Sequence, residues 1–119
     1  MAEHQVQVGR IYDEPRSGDG ARVLVDRLWP RGVSKERAAL HEWCKDVAPS
    51  PELRTWYAHD PAKFDEFARR YRAELAQPPA AEAFAALQEL VRQGPVILLT
   101  AAKRADISEA TVLVDLLRS

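Results

Sequence analysis

The stretch Val96-Ile97-Leu98-Leu99-Thr100 is a continuous run of four apolar residues that ends in a hydroxyl-bearing side chain. Pro95 precedes it, and sequence with helical apolar spacing lies on both sides. Continuous apolar runs of this length are typical of strands that are covered on both faces, as in parallel sheets. The run therefore predicts a buried strand over 95–100 in a layered α/β domain.

Two further strands are predicted closer to the N-terminus. Residues Gln5 to Tyr12 alternate in polarity, which is typical of an edge strand, and Gly9 is consistent with a bulge. Residues Ala21 to Leu28 contain a denser apolar core. The connection over 13–20 is rich in turn-forming residues and too short for a helical crossover, so its simplest interpretation is a hairpin. A long crossover separates the second and third strands, which predicts that these two are parallel.

Capping residues and apolar periodicity predict five helices. They run from Ser34 to about Lys45, from Ser50-Pro51, from Asp60-Pro61 to Leu75, from Pro78-Pro79 to Gly94, and from a cap at Asp106 or Ser108 onward. The whole pattern predicts a small layered α/β domain in which a short, largely parallel sheet is flanked by helices.

Length and composition favour one globular unit. The chain has 119 residues, of which 46% are apolar and 29% charged, so we expect residues 1–119 to form a single domain. A single cysteine, Cys44, excludes an internal disulfide. Met1 to Gln7 lacks a signal-peptide apolar stretch, and no run approaches the roughly 18 apolar residues that cross a bilayer. We therefore expect a soluble cytoplasmic protein with no membrane partner.

The charges are balanced overall but not locally. The net charge is −1, which disfavours a dedicated nucleic-acid binder. Arg27, Arg31, Lys35 and Arg37 nevertheless share a short stretch in which Glu36 is the acidic residue. Guanidinium groups suit carboxylates and phosphates. This stretch indicates a focused anion site, with RNA binding through the same cations as the weaker alternative.

Polar side chains follow the second and third predicted strands at their carboxyl ends, where ligands collect in parallel α/β sheets. The second strand ends in Asp26 and Arg27 and Arg31 follows it, whereas Thr100 ends the third strand and Lys103 follows it. The Asp26 carboxylate either holds backbone amides or a neighbouring arginine, or contacts a ligand. Arg27 and Arg31 are candidates for anion contact.

A second polar cluster precedes the third predicted helix. Asp60 is first of all the cap of that helix. His59 lies in a loop where a neutral imidazole can exchange protons, although a hydrogen-bonded structural histidine is the commoner case. We predict a site for a small anionic or nucleotide-type ligand with His59 as the candidate catalytic residue. Its predicted ligand-binding residues are Asp26, Arg27, Arg31, Arg54, Thr100 and Lys103.

The sequence contains no motif for the common nucleotide, nucleophile or metal sites. The chain contains no phosphate-binding P-loop, no Gly-x-Gly-x-x-Gly, no nucleophile elbow and no His-Glu-x-x-His, so no cofactor and no metal are predicted. Cys44, on a predicted apolar helix face, is better explained as a small buried hydrophobe than as a nucleophile. The alternative function is a non-enzymatic protein-interaction or regulatory module, for which exposure of Trp29, Trp56 and Tyr57 would provide a surface.

Several segments are similar to the YeaO-like family of small bacterial cytoplasmic proteins, a domain of unknown function with the number 488. These segments are Val25–Gly32 with its Asp-Arg-Leu-Trp-Pro-Arg-Gly run, Trp43–Ser50, Leu53–Asp60, Phe67–Leu75 and Val96–Lys103. The resemblance covers nearly the whole chain and implies α/β layers without an established activity. Members commonly carry a His-Asn stretch, and longer relatives a Cys-His-Arg stretch, where this chain has Ile107-Ser108-Glu109. The resemblance thus implies that an imidazole or thiol found there in relatives is missing here.

Overall fold

The computed structural model describes residues 5–118. Within this range the chain forms a four-stranded sheet in the order β1-β4-β2-β3, and every pairing is parallel. The strands are β1 Val6–Arg10, β2 Ala21–Leu24, β3 Glu42–Trp43 and β4 Val96–Thr100. All five residues of β4 are buried, because β1 and β2 flank it and hydrophobic clusters cover both of its faces. The predicted α/β class and the parallel pairing of β2 with β4 are confirmed.

Helices occupy most of the remaining chain. Over residues 5–118 they are α1 Lys35–Ala38, α2 Pro51–Tyr57, α3 Phe64–Glu74, α4 Ala80–Gln93 and α5 Glu109–Arg118. The side chains of Ser34, Ser50 and Asp60 each accept a hydrogen bond from an amide in the turn that follows, as predicted for N-caps. None of the helices within these residues is both long and apolar enough to cross a membrane.

The predicted helix from Ser34 to Lys45 is wrong beyond its first turn. Helix α1 ends where Ala39 adopts a left-handed conformation with φ 49° and ψ 48°. The chain then forms the short strand β3 along the edge of β2. Pairing to an open sheet edge therefore outweighs the helical apolar spacing of this segment. Cys44 follows that strand and is buried as predicted, and burial raises the pKa of its thiol to about 11.

The predicted hairpin between β1 and β2 is also wrong. Both strands are parallel to β4 and lie on opposite sides of it. Gly20, with φ +73°, allows the returning chain to approach Pro95 closely, since an added Cβ would lie 2.2 Å from the Pro95 oxygen. As a consequence, the carboxyl ends of β1, β2 and β4 all meet at one edge of the sheet.

The bulge considered at Gly9 is absent. The register of β1 against β4 is continuous from Val6 opposite Val96 to Arg10 opposite Thr100. An added Cβ at Gly9 would lie 2.7 Å from Cδ1 of Ile97. Glycine at this position therefore makes room for a core side chain of β4.

Two hydrophobic cores lie on the two faces of the sheet. On one face Val23 and Leu98 belong to a cluster with side chains from α2 to α5. On the other face Leu24 and Leu99 pack with Ile11 and neighbouring residues of the loops. The sheet is thus covered on both sides, and its carboxyl edge is the place where polar groups gather.

Candidate functional site

A cleft of about 290 Å³ lies at the carboxyl edge of the sheet. It brings together six of the predicted site residues, which are Asp26, Arg27, Arg31, Arg54, His59 and Thr100. Asp26 and Thr100 meet because β2 and β4 are parallel neighbours. The remaining predicted residue, Lys103, is exposed and does not line this cleft.

Asp26 joins the ends of β2 and β4. Its Oδ1 accepts a hydrogen bond of 2.8 Å from the Thr100 hydroxyl, and its Oδ2 accepts one of 2.8 Å from the amide of Ala101. The Thr100 hydroxyl also accepts a hydrogen bond from the amide of Ala102. Both groups are therefore engaged within the protein, which supports a positioning role for them.

Arg27 is fixed in the wall of the cleft by backbone carbonyls. Its Nη2 donates to the carbonyl oxygens of Ala48 at 3.1 Å and Pro49 at 3.3 Å. Its Nε is buried and finds no hydrogen-bond partner within residues 5–118. No carboxylate of those residues forms a salt bridge with Arg27, so carbonyl dipoles hold the guanidinium and its charge persists.

Arg31 and Arg54 carry the exposed guanidinium groups of the cleft. Neither guanidinium makes a hydrogen bond or a salt bridge in the part of the chain that the structure describes. The loop that carries Arg31 is tied to the end of β1, because the Tyr12 hydroxyl donates to the Arg31 carbonyl at 3.2 Å. These two guanidinium groups are thus held at the cleft and are available to a ligand.

Glu109 is the site residue that the sequence analysis missed. It is the first residue of α5, and its half-buried side chain lines the same cleft. Burial raises the pKa of Glu109 well above its ordinary value of 4.5, and the hydrogen bond with Asp26 and the charge of Asp26 raise it further. Arg54 opposes this shift. The carboxyl groups of Glu109 and Asp26 are therefore hydrogen-bond neighbours in the cleft, and burial and the charge of Asp26 disfavour ionisation of Glu109.

No sequence motif marks Glu109 as a site residue. An acidic residue in the first turn of a helix is common, because it interacts favourably with the helix dipole. Its place in the cleft depends on the docking of α5 against β1 and β4. The signal that could have found it is its position shortly after the end of β4, where the chain must pass over the carboxyl edge of the sheet.

His59 lies on the rim between two cavities. It lines the cleft and also a neighbouring cavity of about 330 Å³, and Ala58 and His59 both have positive φ, 48° and 58°. Its imidazole makes no hydrogen bond to a carboxylate within residues 5–118 that would orient it as a base. No group of three or more His, Cys, Asp and Glu side chains in this range is placed to hold a metal ion. Proton transfer by His59 stays a prediction.

The three aromatic residues of the alternative function do not form an exposed patch. Trp29 is half-buried, and its Nε1 donates to the Val33 carbonyl at 2.7 Å. Trp56 is half-buried, and the Arg70 guanidinium lies 4.2 Å from its ring centroid. Tyr57 is 4% exposed. The geometry therefore offers less to a protein-interaction surface at these residues than to the polar cleft.

Comparisons with known proteins identify a family model and several relatives that match this chain. The family model described as "Inactive DUF488-N3 subclade" matches residues 5–119. "Uncharacterized protein Rv3073c" of Mycobacterium tuberculosis H37Rv is 47% identical over 117 residues, which cover 98% of this chain and 97% of that protein. "Uncharacterized protein YeaO" of Escherichia coli K12 is 41% identical over 114 residues, which cover 96% and 97%. No solved structure matches the chain.

Proposed function

We propose that this chain, which belongs to the YeaO-like DUF488 family and matches its inactive N3 subclade, binds a small oxyanion in the cleft at the ends of β2 and β4. The observation that carries the proposal is the convergence of three guanidinium groups on one small cleft. Those of Arg31 and Arg54 make no hydrogen bond or salt bridge within the described chain, and that of Arg27 is held by carbonyl oxygens.

The charge of the cleft favours an anion. Arg27, Arg31 and Arg54 bring three positive charges to the cleft against the two carboxyl groups of Asp26 and Glu109, and the pKa of Glu109 is raised by burial and by Asp26. Charges that face one cleft attract an anion more strongly than the same charges spread over a surface. Guanidinium groups also bind oxyanions through paired, charge-assisted hydrogen bonds. A near-neutral protein can therefore carry a strongly positive local site.

The size of the cleft favours a small ligand. Its volume of about 290 Å³ is at the lower limit of pockets that hold organic ligands, roughly 300 to 1,000 Å³. A tetrahedral oxyanion such as phosphate fits this space and can reach several guanidinium groups at once. The volume supports a small inorganic or monoester anion over a dinucleotide cofactor.

Binding without turnover agrees with the residues at the site. The family model is described as inactive, and the positions that carry His-Asn in the resemblance hold Ile107 and Ser108 here. The Ser108 hydroxyl is buried and donates to the Ala105 carbonyl at 2.7 Å, so it is not presented to a ligand. We therefore place this chain among binding proteins, with His59 as a residue that contacts the ligand.

Replacing either exposed arginine should weaken the binding of inorganic phosphate. We expect Arg31→Gln and Arg54→Gln each to lower the affinity about tenfold, because a charge-assisted hydrogen bond contributes about 1.5 kcal/mol. Isothermal titration calorimetry with inorganic phosphate measures this effect. The melting temperature should change little, since both side chains are exposed and neither guanidinium makes a hydrogen bond or salt bridge within residues 5–118.

Arg92→Gln is the matched control, because Arg92 is exposed on α4 and pairs with Glu89 away from the cleft. Its phosphate affinity should equal that of the unaltered protein. Equal affinities for all four proteins would place the bound phosphate elsewhere, and no heat of binding at millimolar phosphate would contradict the proposed function itself.

A further inference from the structure

Glu109 places an acidic side chain inside a cleft whose other features attract anions. We propose that Glu109 makes this site selective for an oxyanion that carries a hydroxyl group, such as hydrogen phosphate, over one without a hydroxyl, such as sulfate. The inference rests on the proposed function and deepens it by naming the ligand class.

Asp26 is not available for this role. Both of its carboxylate oxygens already accept hydrogen bonds, from the Thr100 hydroxyl and the Ala101 amide. Glu109 lies beside Asp26 and borders both the cleft and the neighbouring cavity of about 330 Å³. Its carboxyl group is therefore the acidic group that a ligand among the arginines would meet.

The Glu109 carboxyl keeps an acceptor for the ligand. A protonated carboxyl group has one O–H donor and several remaining lone pairs. The Glu109 carboxyl group forms a hydrogen bond with Asp26, and the backbone amide of Glu109 also bonds to the carboxyl group. An oxygen lone pair remains for a hydroxyl that enters from the cleft.

The arginines around Glu109 offset the negative charge of the two carboxyl groups in the cleft. Asp26 faces it from the end of β2, Arg54 faces it from α2, and Arg27, Arg31 and His59 line the same cleft. Burial and Asp26 raise the pKa of Glu109, which lessens the negative charge that its carboxyl group presents beside the arginines.

Sulfate and hydrogen phosphate differ in what they offer to this acceptor. Hydrogen phosphate has a P–O–H donor, whereas sulfate has acceptors alone. Sulfate would therefore place an oxygen against the lone pair of Glu109, and a site built to bond a hydroxyl rejects an analogue that lacks it. Three guanidinium groups alone would bind both anions.

Competing titrations of phosphate and sulfate test the inference at about pH 7 and matched ionic strength. The unaltered protein should bind inorganic phosphate at least about tenfold more tightly than sulfate. Glu109→Gln should preserve the preference, because its amide can donate to Asp26 and its oxygen still accepts. Glu109→Met removes the acceptor and should bring the ratio to about one. Arsenate should behave like phosphate and selenate like sulfate, a comparison that needs no variant.

A phosphomonoester separates free phosphate from an esterified phosphate group. A monoester loses its last P–O–H proton above a pKa of about 6. Phenyl phosphate should therefore bind as weakly as sulfate near pH 7.5 and more tightly near pH 5.5, whereas inorganic phosphate keeps a hydroxyl at both pH values. Equal binding of phosphate and sulfate, or a preference that survives Glu109→Met, would overturn the role of Glu109 while leaving an anion site. Failure of every anion to bind would overturn the proposed function.

Discussion

Replacing Asp26 by Ala is expected to lower the free energy of unfolding by about 2 to 4 kcal/mol. The substitution removes the acceptors of the Thr100 hydroxyl, on a residue that is 1% exposed, and of the Ala101 amide. A buried donor that loses its acceptor costs about 1 to 3 kcal/mol. The substitution also removes one of the two carboxyl groups that line the cleft with the three arginines. Denaturation by guanidinium chloride at about pH 7 measures the loss.

Two control substitutions separate the hydrogen bonds from the charge. Asp26→Asn keeps one acceptor for the Ala101 amide and a donor toward the Thr100 hydroxyl, so it should cost less than Ala. Asp13→Ala removes an exposed carboxylate whose side chain makes no hydrogen bond within the described residues, and should change stability by less than about 0.5 kcal/mol. A stable Asp26→Ala protein that loses phosphate binding would instead show that Asp26 is itself a ligand contact.

We expect the free energy of unfolding to fall as the pH rises, because folding raises the pKa of Glu109 beside Asp26. The pKa of Glu109 in the folded protein is raised above its ordinary value of 4.5 by burial and by Asp26. Below that ordinary value the Glu109 carboxyl is protonated in both the folded and the unfolded protein, and its contribution to the free energy of unfolding is at its maximum. Between it and the folded pKa the unfolded chain releases a proton that the folded protein keeps, so stability decreases by up to about 1.4 kcal/mol per pH unit.

Glu109→Gln isolates this contribution because glutamine does not titrate. The difference in unfolding free energy between the two proteins, measured by chemical denaturation from about pH 4 to pH 8, should shift in favour of the Gln variant as pH rises. Other titrating groups act nearly equally in both proteins and cancel. A constant difference, or one that moves toward the unaltered protein, would show that Glu109 is ionised in the cleft like an ordinary surface acid.

The fold could be predicted where a local pattern has one structural solution. The apolar run of β4 must be covered on both faces, and Ser50 and Asp60 cap the helical turns that follow them. The direction of β1 could not be predicted in this way. It depends on pairing with β4, some 90 residues away in sequence, and the connecting loop alone is compatible with either direction.

The candidate site was predictable to the extent that strand ends determine position. Asp26 and Thr100 meet because each closes a parallel strand. Arg54 reaches the same cleft because α2 packs beside it. In the sequence, the reason to include Arg54 was its closeness to His59. Glu109 could not be identified from the sequence, because an acidic residue in the first turn of a helix is as well explained by the helix dipole as by a role in a site. Lys103 follows β4 as predicted but is exposed and does not line the cleft.

Crystals soaked in arsenate provide the most direct test that the cleft binds an oxyanion. Arsenate has the shape and hydroxyl group of phosphate, and the anomalous scattering of arsenic distinguishes it from water and from other anions. We expect an anomalous peak in the cleft, within hydrogen-bonding distance of the guanidinium groups of Arg31 and Arg54 and of the Glu109 carboxyl. A cleft without such a peak, at an arsenate concentration that saturates the protein in solution, would contradict the account.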